Sequence, residues 1–171
     1  MNKVIVCDID GTIADVSHRL KWTLKKDAST GIDWDYFQAP HRILKDLPFP
    51  NAKNILLTFI KHGFDIFYLT GRPRTDEIIK VTQTWMQKHG FPQSENIQFK
   101  PLGKPEYKKD TAFKQHAIDH FQTTLSREIT LAFDDLERVV EMYKLNNIPI
   151  FQIRHLDDWI KIEEWIHVLW R

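Results

Sequence analysis

Apolar runs of strand length alternate with longer stretches of helical period along most of this chain. The main segments fall at 3–7, 51–62, 65–69, 75–89, 97–100, 111–121, 129–133, 135–145 and 148–153. Such alternation predicts an α/β fold of three layers, a parallel sheet with helices on both faces. The runs at 64–69 and 129–133 are almost continuously apolar, as strands covered on both faces are. Only the C-terminal strand edges then stay open to a ligand.

Residues 17–50 break the rhythm. They hold Trp22, Trp34, Tyr36 and Phe37, a break at Gly31, and three prolines near the end. We read them as a small cap inserted after the first strand of one domain spanning 1–171. The cap aromatics fit two uses, a mini-core under the insert or a surface for stacking on substrate. The tail from 156 to 171 carries Trp159, Ile162, Trp165, Ile166, Leu169 and Trp170, enough apolar surface for a helix that docks on its own domain or on a second copy. Its first expected use is on its own domain, with a homo-oligomer through the Trp-rich tail as the other.

Composition narrows the function. With 24 Lys and Arg against 23 Asp and Glu, the net charge of +1 excludes a protein that coats nucleic acid by charge alone, yet leaves room for binding a strand end. A single cysteine, Cys7, forms no internal disulfide, and neither a leader nor a membrane span is expected, so a cytoplasmic protein is predicted.

Four short pieces at strand ends carry chemistry. Asp8-Ile-Asp10-Gly-Thr12 places two carboxylates at the end of the first strand, where one can attack while the other handles a proton. A calcium loop would need further oxygen ligands downstream ending in a glutamate, a set that Ser17 to Leu20 do not supply. Thr70-Gly71-Arg72 offers a hydroxyl, an open backbone and a guanidinium, a set suited to a phosphate, or an ordinary strand-to-helix turn. Asp110 and Lys114 enter a helix after two more lysines. Lys114 fits a solvated helix face or a charge that neutralises a transferred phosphoryl group, and Asp110 fits a helix N-terminus or a substrate contact. Asp134-Asp135 follow an apolar strand, and two adjacent acids there repel unless a cation joins them. Mg2+ suits these oxygen donors, and no Cys/His cluster of zinc spacing competes among the scattered histidines.

In this order and spacing the four pieces resemble the signature of the haloacid dehalogenase (HAD) superfamily of phosphotransferases. A nearer similarity is to the 3′-phosphatase domain of bacteriophage polynucleotide kinase/phosphatase. It rests on Ile9 to Ala14 followed by His18-Arg19, on Leu69 to Arg72, on Tyr107 to Asp110 with Lys114, and on Phe133 to Asp135 with Val139 to Met142. The resemblance implies a Rossmann-like HAD sheet. It further implies Asp8 as nucleophile, Asp10 as acid and base, Thr70 and Lys114 assisting them, and Arg19, Gly71, Arg72 and Asp110 around the substrate. Asp8, Asp10, Asp134 and Asp135 are the expected metal set, with Mg2+ as cofactor. The expected reaction is hydrolysis of a phosphomonoester through an aspartyl-phosphate, removing a 3′-phosphate from a nucleotide or nucleic-acid end. A 5′-nucleotidase uses the same chemistry, and a catalytically idle module that binds phosphorylated ends is the non-enzymatic alternative. Relatives often carry arginine directly after the paired acids, where this chain has Leu136. The absence of a G-x-x-x-x-G-K-[ST] loop in this sequence removes any expectation of kinase activity.

Overall fold

A computed structural model describes residues 3–23 and 33–169. Lys25, Lys26, Gly31 and Trp170 lie outside the described residues, as do the side chains of Trp22 and Leu169.

The central strands are β1 (Lys3–Cys7), β4 (Asp65–Pro73), β5 (Ile97–Lys100), β6 (Glu128–Asp134) and β7 (Ile150–Gln152). They form one parallel sheet in the order β5-β4-β1-β6-β7, with β1 in the middle. Alternation along β1 divides its side chains between two cores. Ile5 and Cys7 join Ile66, Tyr68 and Phe133 on one face, while Val4 and Val6 join Leu69 and Ala132 on the other. The register between β1 and β6 shifts between Val4 and Ile5, which brings Ile129 to the same face as Ala132.

Helices α4 (Ala52–Lys61), α5 (Asp76–His89) and α8 (Asp158–Leu169) cover the first face with Leu56, Trp85 and Trp159. Helices α6 (Asp110–Thr123) and α7 (Glu137–Leu145) cover the second with Phe113, Ile118 and Tyr143. The expected three-layer parallel sheet is therefore present. Helix α5 has a local cause at each end. The Thr75 hydroxyl accepts the Ile78 amide at the start of α5, and Gly90, at φ 72°, closes its end in the left-handed conformation.

Two boundaries differ from the sequence reading. Strand β4 continues through Thr70, Gly71 and Arg72 to Pro73, because these residues still run beside β5. Helix α7 starts at Glu137, which leaves Asp135 in the loop after β6.

The insert begins with β2 (Ala14–Asp15) and α1 (Ser17–Thr23) and continues through α2 (Trp34–Phe37) and α3 (Pro40–Ile43) to β3 (Leu47–Pro48). An antiparallel ladder pairs Ala14 with Pro48 and Asp15 with Leu47, so both ends of the insert meet at one stem beside the first strand end. The tail helix lays the buried Trp159, Ile162 and Ile166 on the sheet, which satisfies the own-domain expectation; the homo-oligomer finds no support. No helix among the described residues is long and apolar enough to cross a membrane.

Candidate active site

The site forms where β1 and β6, neighbours in the sheet, both end in acids. Asp8 follows β1, Asp134 ends β6 and Asp135 follows it. One ligand atom from each of the three lies within 4.8 Å of the others. Lys114, buried on α6, joins this cluster: its Nζ donates to Asp8 at 2.7 Å and to Asp134 at 2.6 Å. Of the two readings open for Lys114, the solvated helix face is thereby excluded.

Three carboxylates around one ammonium remain short of positive charge. Burial, reinforced by Asp134, pushes the Asp135 carboxyl up to about 7. Asp8 is raised well above the ordinary carboxylate range by burial, which Lys114 only partly offsets, with Asp134 and Asp135 adding repulsion. Lys114 itself opposes its own burial through Asp134 and Asp8, and its proton is held more tightly than usual. Asp135 also keeps one buried oxygen, Oδ1, without a hydrogen-bond partner. An all-oxygen donor set, an excess of negative charge and an unpartnered carboxylate oxygen together fit a hard divalent cation such as Mg2+.

Gly11 explains how the first loop meets Asp135. Its φ is 82°, and a Cβ at that position would fall 2.5 Å from Asp135 Oδ2. Glycine is thus required here for both backbone and space.

A second ionic cluster adjoins the first. Arg72, fully buried, donates from Nη2 to Asp10 at 2.6 Å and from Nε to the same carboxylate, while its Nη1 reaches Thr82 at 2.9 Å. Arg19, equally buried, also donates to Asp10, to Asp46 and to the Phe37 carbonyl at 2.7 Å. Asp46 accepts from Arg19 Nε and Nη2 at 2.9 Å each, meets Arg72 Nη2 at 3.4 Å, and pairs with His18 Nε2 at 2.9 Å. Burial opposes ionisation of Asp10, but Arg72 and Arg19 win and hold it well below the ordinary range. At Asp46 burial wins instead, and its carboxyl is raised.

The Asp10 carboxylate faces the two arginines, whereas the acids that group closely enough to share an ion among the described residues are Asp8, Asp134 and Asp135. A sequence pattern gives the loop but not which way its second acid turns. Asp46 and Thr82 were missed altogether. Asp46 is a single acid between Lys45 and Leu47, and its only hint is the Pro48 that follows the β3 start; Thr82 sits in an ordinary helical stretch.

The other predicted positions surround these clusters. The buried Thr70 hydroxyl accepts the Arg72 amide at 3.2 Å. Gly71 lies against Asp110, whose carboxylate would be 3.4 Å from a Cβ placed there. Asp110 accepts from Lys100 at 2.7 Å and from Arg138 at 3.2 Å; burial works against its charge, but Lys100 prevails and keeps it below the ordinary range. Leu136 packs against the second core and donates its amide to Asp134, while Arg138 two residues on reaches Asp110 beside Lys100.

Two indoles brace the loops. Trp159 Nε1 donates to the Thr12 carbonyl and Trp85 Nε1 to the Asp46 carbonyl, each at 2.8 Å, which ties the loop after β1 and the cap stem to helices on one face.

Known structures share this fold. A chain of the Pnkp1/Rnl/Hen1 RNA repair complex is 19% identical, with a TM-score of 0.62 and coverage of 90% of this chain and 42% of that one. The present chain thus spans about two fifths of that relative's length. The class C acid phosphatase from Bacillus anthracis with tungstate bound is 18% identical, with a TM-score of 0.59 over 89% of this chain and 67% of that one. Phosphoserine phosphatase in apo form is 13% identical, with a TM-score of 0.58 over 94% and 98%. No curated protein matches the sequence. Residues 2–157 match the family model described as the polynucleotide kinase PNKP phosphatase domain, and the chain belongs to that family of HAD-superfamily phosphatases.

Proposed function

We propose that this phosphatase removes a 3′-phosphate from a nucleotide or polynucleotide end, with Asp8 as the nucleophile and Mg2+ as the cofactor. The observation that carries the chemistry is Lys114 Nζ set between Asp8 and Asp134, with Asp135 completing an acid group at the open strand ends. Asp8, Asp134 and Asp135 would hold the ion. When bound, it supplies positive charge to the phosphate oxygens and removes the repulsion among the three acids.

The chain's own residues account for the rest. Asp8 attacks phosphorus in line; the bond to the leaving oxygen breaks, and an aspartyl-phosphate remains. Lys114 holds the attacking carboxylate in place and balances charge on the phosphoryl group. Asp10 gives a proton to the leaving oxygen, then takes one from the water that hydrolyses the acyl-phosphate.

Ionised between two arginines, Asp10 is a poor acid. The substrate phosphate competes with it for the Nη groups of Arg19 and Arg72, while Asp46, the Phe37 carbonyl and Thr82 keep the guanidinium groups in position. Once their hydrogen bonds turn to phosphate, Asp10 loses its cations and its proton affinity rises. Thr70 fixes the Arg72 amide, and Gly71 and Asp110 line the approach.

The substrate assignment draws on the family match, on the RNA repair complex that contains one relative, and on Lys100, Lys104, Lys108 and Lys109 near the Asp110 edge, where cations suit a nucleic-acid backbone. A panel with Mg2+ tests it. A 3′-phosphorylated oligonucleotide should be hydrolysed faster, by kcat/KM, than a nucleoside 5′-monophosphate. Equal or better turnover of the 5′-monophosphate would make the protein a 5′-nucleotidase instead.

A further inference from the structure

The cap divides its aromatic residues sharply. On α2, Trp34 and Phe37 stand three residues apart on one side of the helix and meet edge to face, with ring centroids 5.8 Å apart. Phe37 is buried at 7% exposure, whereas Trp34 is 57% exposed. Beneath Phe37, the Arg19 guanidinium lies 4.1 Å from the ring centroid and bonds both the Phe37 carbonyl and Asp10. An outward indole, an inward phenyl, a guanidinium and the Asp10 carboxylate therefore follow one another from the cap surface into the site. The Trp34 ring is within about 10 Å of the Arg19 guanidinium, the sum of these two contacts being the upper limit.

Leaving an indole this exposed forgoes the burial that stabilises other large side chains in the protein. The near-perpendicular contact with Phe37 holds the ring on one side. We propose that Trp34 is the nucleobase platform of the site: a base stacks on its free surface while the phosphate carried by the same nucleotide reaches Arg19 and Arg72. This deepens the reading of the substrate as a nucleotide and rests on it. Nearby, Arg42 lies 3.5 Å over the Tyr36 ring on the same cap, and this cation and aromatic pair adds a second surface suited to nucleic acid. Stacking on a ring is tolerant of base identity, so the platform selects for a nucleoside over a bare sugar or glycerol phosphate without selecting among bases.

The test compares kcat/KM on a deoxynucleoside 3′-monophosphate with kcat/KM on glycerol phosphate, both with Mg2+, in wild type, Trp34→Ala, Trp34→Leu and Trp34→Phe. Loss of one stacking contact predicts that the nucleotide-to-glycerol ratio drops about 5- to 150-fold in the Ala and Leu variants, through a higher KM at unchanged kcat. Trp34→Phe, which keeps a ring, should retain most of the ratio. Trp34→Leu keeps apolar bulk over Phe37, so it reports on stacking even if Trp34→Ala folds poorly. An unchanged ratio in Trp34→Leu overturns the proposal, as does an equal loss on both substrates, which would mark Trp34 as a mere support for Phe37. Either result leaves the wild-type preference for 3′-phosphates intact. If wild type itself shows no preference for the nucleotide over glycerol phosphate, the substrate reading fails first.

Discussion

The two ionic clusters share the loop from Asp8 to Asp10 yet are built on opposite principles. Around Lys114, three acids meet one cation, and the outcome is raised carboxyl groups and an orphaned oxygen. Around Arg19 and Arg72, two guanidinium groups meet two acids, with a carbonyl and a hydroxyl accepting from their Nη1 atoms. The first cluster is incomplete and receptive to an added cation. The second is balanced, and it fixes the arginines proposed to engage the substrate.

Removing the nucleophile should have the largest effect. Asp8→Asn is expected to lower kcat by about 10^4-fold or more while the domain still folds, as circular dichroism and a melting curve would report. Near-normal turnover would reassign the nucleophile. Lys114→Ala should lower kcat by about 10^2- to 10^3-fold, the usual consequence of losing one preorganised cationic donor. A loss confined to KM would instead make Lys114 a binding residue only.

The balanced cluster should respond in stability. Asp46→Ala leaves two buried guanidinium groups short of a partner, and an unfolding free energy lower by about 3–5 kcal/mol is expected in urea titrations. A change within about 0.5 kcal/mol would show that water or Asp10 compensates fully.

The smallest expected effect is on the metal-free protein's pH dependence. Asp135, raised to about 7, binds its proton more tightly folded than unfolded, and Asp8 is raised in the same direction. Unfolding therefore releases protons between the ordinary carboxylate range and pH 7. The contribution is fully present below that ordinary range and is lost as pH rises through about 7, so Tm in EDTA should fall from pH 5 to pH 8. Asp10 and Asp110 shift the opposite way and act only in more acidic solution. Mg2+ favours the ionised acids and should flatten the slope. A Tm that rises over this window, or a slope indifferent to Mg2+, would contradict the charge imbalance.

Much of the first cluster was legible in the sequence, because strand-end acids and a lysine one turn into a helix inherit their positions from backbone periodicity. The same periodicity gave the parallel sheet and the tail helix. Of the second, Asp10, Arg19 and Arg72 were named from the resemblance, but neither Asp46 nor the contacts among them were legible. Arg19 and Asp46 come from opposite ends of the insert, and their meeting depends on the ladder from Ala14 to Pro48 that closes its stem. The turn of Asp10 toward the arginines follows from where those buried cations sit, which no local spacing records. Trp34 and Phe37 read alike as cap aromatics and separate only once packing chooses which one to cover.

The most direct measurement is an acid quench of the Mg2+-loaded protein during turnover of an oligonucleotide labelled in its 3′-phosphate, followed by peptide mapping. The account predicts a hydroxylamine-sensitive phosphoryl label on the peptide containing Asp8, absent from Asp8→Asn. Steady turnover of wild type with no protein-bound label, or with the label on another residue, would contradict it.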